Sequence, residues 1–409
     1  MYSSFLGLIG LVGLLLGLWV VLPAPTTALL PLAIGAPEIS PWLVLFNLVG
    51  VGLGLGNEVY RGGPWVSRAV LLGCVAGLVL SALPLMQVGV AQQAAERAMA
   101  NGLGVQSTAR LAVMQPLGRS HPFRFLDTLR GIPLHADAVR YTADIPVAEV
   151  AGVPLTLDVY QPPLALDAPA DGFPGLVMVY GGAWRAGSPA DNATFARYMA
   201  ARGYVVWAIA YRHAPQFQFP AQLEDVQTAL AFVLRYARDY DTDPNRLALM
   251  GRSAGAHLAM LAAYQPDAPP LRAVVNYYGP VDLLRGYTEL PQPDPLDVRA
   301  ILEDFLGGAP DESAIALGEE TVSDRYRAAS PIHYITPTLP PTLLIYGGKD
   351  RIVLPQFGRA MAAQLQASGS PTVLIELPWA DHAFDAVFQG VSNQLALYYT
   401  ERFLAWTLR

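Results

Sequence analysis

Residues 1–37 carry no charged side chain, and residues 5–22 form an unbroken apolar run. A run of about 20 such residues is what a helix needs to cross the hydrocarbon of a bilayer. Only a helix satisfies its own backbone there, so the run has few other ways to fold. A second run, residues 39–56, is interrupted only by Ser40 and Asn47, and a third extends over residues 69–91. The chain as a whole fits this pattern: 409 residues with 53% hydrophobic and 14% charged side chains are too apolar for one ordinary water-soluble domain. The expected organisation is a membrane region over residues 1–91 with about three transmembrane helices, a connector over 92–138, and a catalytic domain over 139–409.

No Lys or Arg precedes the first run and two more apolar runs follow it, which favours an uncleaved anchor over a cleaved signal peptide. Glycines four apart recur in each run, at Gly13 and Gly17, Gly52 and Gly56, and Gly73 and Gly77, a spacing that lets helix backbones approach in a membrane. Arg61 and Arg68 lie between the second and third runs, whereas residues 23–38 hold no basic residue. The positive-inside tendency then puts the Arg61 loop in the cytoplasm and, with three crossings, the catalytic domain on the extracytoplasmic side. The single cysteine, Cys74, falls in the third run and says nothing about redox compartment. The net charge of −7 is dispersed, without the basic patch that nucleic acid or anionic lipid would call for. The connector is rich in Ala and Arg, with a helix expected around residues 91–100.

From residue 139 onward, short runs of Val, Ile, Leu and Met alternate with helical segments, the pattern of a doubly wound, mostly parallel sheet covered on both faces. "VRYTAD" and "LTLDVYQP" read as an opening pair of strands. "GLVMVYGG", "YVVWAIAYR", "RLALMG", "RAVVNYYG", "PTLLIYGG" and "PTVLIELP" read as the rest. Helices are expected over 189–202, 221–238, 254–264 and 356–367, with "DTDPN" as a turn.

One strand-to-helix junction is "LALMGRSAGAHLAML", which contains Gly251-Arg252-Ser253-Ala254-Gly255. A turn of the form GxSxG needs small residues beside the serine because the chain doubles back, and it lifts the hydroxyl above the end of the sheet. A serine nucleophile needs a base, and the base an acid to hold its tautomer. His382 in "WADHAF" follows the last strand, and Asp350 in "YGGKD" follows the one before. Asp282 is a weaker alternative acid, and Asp381 reads as a solvated loop charge. His257, four residues beyond Ser253 on the same helix, reads as a satisfied core residue; His121, His135, His213 and His333 show no partner. The order Ser253, Asp350, His382 is the one imposed when nucleophile, acid and base follow successive strands of such a sheet.

Acyl transfer also needs N–H donors aimed at the developing oxyanion. The backbone of Gly182 and Ala183 after "VMVYGG", with Ala254 after the serine, is the expected oxyanion hole, although the same glycines also suit an ordinary strand-to-helix turn. The segment 284–330 is longer than a connection requires and carries a helix around 297–306, which makes it a candidate pocket wall or lid. Trp184, Tyr211, Phe217 and Phe219 are candidate pocket aromatics.

The stretches "YGGAW", "YRHAPQFQFPAQLEDV", "GRSAGAHLA" and "YGGKDRIV" with "DHAF" make residues 139–409 resemble the α/β-hydrolase superfamily. Within it the likeness is to carboxylesterases with an HGG-type oxyanion loop, of the hormone-sensitive-lipase-like and acetyl-xylan or feruloyl esterase-like groups. The resemblance implies an α/β-hydrolase fold, Ser253, Asp350 and His382 as triad, and the Gly182 region as oxyanion loop. Where those families have His, this chain has Tyr180, placed with Trp184 as an expected substrate-binding residue. The expected activity is hydrolysis of small-molecule carboxylic esters through an acyl-enzyme, without cofactor or metal, by a protein held in the lipid bilayer. Amide or formamide hydrolysis or acyl transfer on the same triad is one alternative, and a catalytically silent fold used for binding is another.

Overall fold

A two-residue link, Ala151-Gly152, leaves no room for anything but a hairpin, and both residues adopt the positive φ that such a tight turn requires (52° and 74°). The computed structural model describes residues 2–61, 65–104, 118–136, 138–311 and 321–408. The hairpin joins β1 (Arg140–Val150) to β2 (Val153–Gln161). The remaining strands are β3 (Phe173–Val179), β4 (Val205–Ile209), β5 (Thr242–Arg252), β6 (Ala273–Tyr277), β7 (Thr342–Gly347) and β8 (Thr372–Leu377). They form one sheet in the order β1-β2-β4-β3-β5-β6-β7-β8. The pairs β1–β2 and β2–β4 are antiparallel, and all others are parallel. Parallel pairing follows from the helices that separate consecutive strands after β3, since each chain return must cross over. Every residue of β4 and β6 is buried, as strands covered on both faces should be.

All eight expected strands are present. The stretch "DTDPN" is not a free turn: Thr242 pairs with Phe173 and Asp243 with Pro174, and pairing resumes at Gly175 with Leu247. Residues 244–246 are thus a bulge within β5, which accommodates Pro244 without a ladder hydrogen bond.

Before the sheet come α1 (Tyr2–Trp19), α2 (Leu30–Glu38), α3 (Ser40–Arg61), α4 (Trp65–Leu103) and a short helix, Phe125–Arg130. Two of them contain stretches long and apolar enough to cross a membrane, Ser40–Glu58 and Arg68–Leu103, while α1 contributes the shorter apolar stretch Leu6–Trp19. On α1, Gly10, Gly13 and Gly17 face Val70, Asn47 and Gly77, and a Cβ on Gly73 or Gly77 would run into the carbonyls of Gly10 or Gly13. α1 and α4 therefore run in the same direction with their backbones in contact. On α3 the expected pair is displaced: Gly52 and Gly56 face open space, whereas Gly50 meets Cys74 and Gly54 meets Leu71, giving an antiparallel contact with α4.

The helix expected around residues 91–100 is present, but as the far part of α4, which is continuous for 39 residues. At roughly 1.5 Å per residue it is about 58 Å long, well beyond a ~30 Å hydrocarbon layer. Its far half is amphipathic. Val88, Ala91, Ala95, Met99 and Leu103 are buried in the same core as the sheet, and Gly102 lies on the Thr372 carbonyl of β8. One helix thus serves as an apolar rod at one end and as a cover for the sheet edge at the other.

The segment between α1 and α3 is also bound to the sheet domain. The Glu38 carboxylate accepts the Ser392 N–H (2.7 Å), one of the first-turn donors of helix Val391–Thr407 that have no partner within their own helix. Burial pushes the Glu38 carboxyl up to about 8, with the bonds from Ser392 offsetting only part of the desolvation. Trp42 Nε1 donates to the Thr128 carbonyl (3.1 Å).

The glycine contacts give a direct test. Gly77→Leu must push α1 off α4 and is expected to destabilise the detergent-solubilised protein by ~1–3 kcal/mol, lowering its thermal midpoint. Gly52→Leu, which enters open space, should leave the midpoint unchanged.

Candidate active site

β5 ends at Arg252, and the next residue, Ser253, takes φ 50° and ψ −124° before helix Ala254–Ala263 begins. The flanking glycines follow from the closeness of that turn. A Cβ on Gly251 would strike the Gly255 carbonyl, and one on Gly255 would strike the carbonyls of Val179 and Tyr180 at the end of β3. No side chain fits at either place. The Ser253 N–H donates to the Tyr277 carbonyl of β6 (3.0 Å), which holds this left-handed residue in position.

Two more strand ends deliver its partners. Asp350 follows β7, and its Oδ1 accepts the N–H groups of Ile352 and Val353 at 2.8 Å each. Its Oδ2 lies 2.8 Å from His382 Nδ1, and His382 Nε2 lies 2.9 Å from Ser253 Oγ. Burial alone would lower the His382 imidazole. The Asp350 carboxylate, through charge and hydrogen bond, more than offsets this and holds it above the ordinary histidine range. An imidazole between a hydroxyl and a buried carboxylate can take the hydroxyl proton and keep the resulting cation stabilised.

Asp381 is not a solvated charge. It is buried, its Oδ1 accepts the backbone N–H of His382 (2.7 Å), and burial raises its pKa, with the neighbouring Asp350 charge adding to the effect. It fixes the loop rather than the ring. Asp282, the alternative acid, caps helix Leu283–Thr288 by accepting the Arg285 N–H (3.1 Å) and makes no bond to His382.

Gly182, Ala183 and Trp184 are three successive residues with positive φ (119°, 55° and 58°). The Gly182 carbonyl accepts the N–H groups of Arg185 and Ala186, so the loop is a closed turn. Gly182, Ala183 and Ala254 border one cavity together with Ser253 and His382. Trp184 lines it too, stacked on Phe305 (4.3 Å between centroids). Its indole N–H donates to His257 Nδ1 (3.1 Å), which places the imidazole proton on Nε2, facing the Ala329 carbonyl at 2.6 Å. Burial lowers the His257 pKa to about 4, so the ring is the neutral, satisfied core group the sequence led us to expect.

Tyr180 does not line the cavity. Its ring stacks on Tyr211 (4.4 Å) and is covered by Gly187; its hydroxyl lies 2.9 Å from His213 Nε2 and 3.2 Å from the Tyr211 carbonyl. It braces the glycine loop from behind and cannot touch a substrate. Tyr211, Phe217 and Phe219 are also turned away from the cavity: Tyr211 backs Tyr180, Phe219 packs edge-on against Phe305, and the Arg212 guanidinium lies over Phe217.

The cavity encloses about 460 Å³, within the range usual for small-ligand sites. The long insertion supplies much of its wall. Helix Val298–Leu306, capped by Asp297 and close to the expected 297–306, contributes Ile301 and Leu302; Leu296 and, from beyond β7, Ile352 and Phe357 complete an apolar face. Residues 312–320 of the insertion fall outside the described residues.

Sequence reasoning missed a buried cluster beside the serine. Arg252 and Tyr278 both bond the Asp385 carboxylate, Arg252 also donates to Asn192 Oδ1 (2.7 Å), and the Tyr278 ring packs on His382 (4.6 Å). The signal was positional, since Tyr278 follows β6 just as Ser253 follows β5.

The family profile BD-FAE matches residues 157–365, just over half of the chain. Esterase LipQ of Mycobacterium tuberculosis is 32% identical over 291 residues, covering 66% of this chain and 65% of that protein. Esterase LipC of the same organism is 35% identical over 234 residues, covering 54% and 55%. The chain thus spans less than two thirds of the length of these relatives. A solved structure described as a bacterial heroin esterase has a TM-score of 0.55 at 20% identity, covering 69% of this chain and 87% of that one, a likeness of fold.

Replacing His257 with leucine would leave both the Trp184 indole N–H and the Ala329 carbonyl buried without partners. A loss of about 2–5 kcal/mol is expected in denaturant unfolding.

Proposed function

Because the chain belongs to the BD-FAE family, we propose that it is a serine hydrolase of carboxylic esters, anchored in a membrane through its N-terminal helices. The observation that carries this reading is the hydrogen-bonded line Ser253–His382–Asp350, with spacings of 2.9 and 2.8 Å, on the border of a cavity that Gly182, Ala183 and Ala254 also line.

In this mechanism His382 Nε2 takes the Ser253 proton as Oγ bonds the ester carbonyl carbon. The carbonyl oxygen becomes an anion facing the three amides, while Asp350 stabilises the imidazolium. Collapse breaks the bond to the alcohol oxygen, which leaves with the proton from His382. Water then attacks the acyl-serine, giving its proton to His382, and the second collapse releases the acid and returns the proton to Ser253. Trp184, pinned by His257 and Phe305, fixes one wall beside the acyl carbon.

The relatives named as esterases support ester substrates for this chain. For the anchor, support comes from the lengths of α3 and α4 and from the parallel run of α1 and α4. With α1 also crossing, the start of α1 and the Arg61 end of α3 lie on one side and the catalytic domain on the other, extracytoplasmic by the charge rule.

The test is turnover of p-nitrophenyl butyrate by the full chain in detergent. Ser253→Ala is expected to reduce kcat on the order of 10⁶-fold; full activity in that variant would overturn the reading. Only neutral His382 accepts the serine proton, so kcat/KM should fall as pH drops through a value above ~6.5, the ordinary histidine value. Asp350→Asn should move that limb to lower pH and cost about 10⁴-fold in rate. Extraction of membranes with alkaline carbonate should leave the chain in the pellet; release into the supernatant would remove the anchor.

A further inference from the structure

The cavity is built against the segment that emerges from α1. Lys349, next to Asp350, donates through Nζ to the carbonyl of Val20 (2.6 Å), the residue that follows the end of α1. A cation at a helix C-terminus is a favourable pairing, and it joins the loop carrying the acid directly to the end of an apolar helix. Seven residues on, Thr27 Oγ1 donates to the Pro295 carbonyl (2.6 Å). Between and beyond these two ties, Ala24, Leu30 and Ala33 are buried against Leu296 and Ile352. Those last two side chains border the cavity on their other side. The apolar wall of the site is therefore one side chain thick, and its outer support is the α1–α2 segment. Exposed on the same segment are Val21 (38% exposed), Leu22 (45%) and Leu32 (39%). Such a group is costly in water and well placed at the surface of a bilayer.

We propose that this enzyme acts on long-chain esters drawn from the bilayer surface, and that the α1–α2 segment sets the accepted chain length by supporting Leu296 and Ile352. This rests on the ester-hydrolase reading above and adds to it the substrate class and the source. A chain that passes through water to reach an apolar pocket loses roughly fourfold in concentration per methylene. A chain that moves from lipid to a cavity lined by Leu283, Leu296, Ile301, Leu302, Ile352 and Phe357 exchanges one apolar surrounding for another. With the loop that carries Asp350 tied to the helix end through Lys349, and Leu296 and Ile352 backed by the α1–α2 segment, the apolar wall of the site stands next to that surface.

The experiment uses the full chain in phosphatidylcholine vesicles with p-nitrophenyl acetate and p-nitrophenyl palmitate. With the bulk amount of palmitate ester fixed, adding lipid should lower the rate in proportion to the ester's mole fraction in the membrane; a rate that ignores lipid dilution overturns surface uptake. Ala33→Leu thickens the support behind Leu296 and Ile352, and palmitate turnover should fall ~10-fold or more while acetate stays within about twofold. Leu30→Ala removes support from the same wall and should raise the palmitate-to-acetate ratio several-fold. Equal losses on both esters, or an unchanged ratio in both variants, would overturn the role of the segment. Failure of the underlying reading looks different: wild-type protein would not cleave p-nitrophenyl acetate, or Ser253→Ala would cleave it as fast.

Discussion

The backbone of Gly255 lies so close to the carbonyls of Val179 and Tyr180 that no Cβ fits between them. This contact clamps the first turn of helix Ala254–Ala263 against the end of β3, and the rest of the site depends on it. Ser253 is lifted because the helix must double back to reach β3. The loop Gly182–Trp184 is within reach of Ser253 because it starts where that contact is made. Ser253 and the Gly182–Trp184 loop are thus two ends of one backbone packing arrangement, and their relative position is as rigid as the sheet. Side chains enter only to brace it, with Tyr180 and Tyr211 behind the loop and His257 and Phe305 behind Trp184.

A second layer of bracing is polar and buried. Arg252 and Tyr278 converge on Asp385, and Asp385 lies close enough to Glu38 for its charge to add to the rise in that carboxyl's pKa. This runs from the residue before the serine to a helix in the N-terminal region. A buried carboxylate such as Asp385 is tolerated only with partners of this strength, since an unpaired charge there would carry a large desolvation penalty. The Tyr278 ring, held by the same carboxylate, in turn limits how far His382 can tilt.

Much of this was legible in the sequence because strand ends are legible. Apolar runs mark the strands, and their exits place Gly182, Ser253, Asp350 and His382 at one edge of the sheet. Side-chain direction just beyond a strand is not legible, which is why Tyr180 was expected to meet substrate and instead faces the core. Asp381 reads as solvent-facing because charged loop residues usually are, and its burial depends on a loop that folds beneath Gly347. On α3, glycines at every second position from Gly50 to Gly56 offer two equivalent stripes, and only the partner helix selects Gly50 and Gly54. The continuity of α4 was hidden by a change of pattern within one helix, from apolar all round to one-sided, which in sequence looks like a boundary.

That change of pattern also settles how the two halves of the chain relate physically. A sheet edge at β8 needs cover, and α4 supplies it with side chains at spacings of three and four residues from Val88 to Leu103. Helix Val391–Thr407 needs a partner for its first-turn donors, and Glu38 supplies one from outside the sheet domain. The wall of the cavity needs backing, and Ala24, Leu30 and Ala33 supply that. Each of these would become an exposed edge, an unmet donor or a collapsed wall if the N-terminal helices were a detachable tether. The far half of α4 therefore belongs to the core of the sheet domain and the α1–α2 segment packs against the cavity wall, so whatever orients α4 also orients the cavity and the serine at its border.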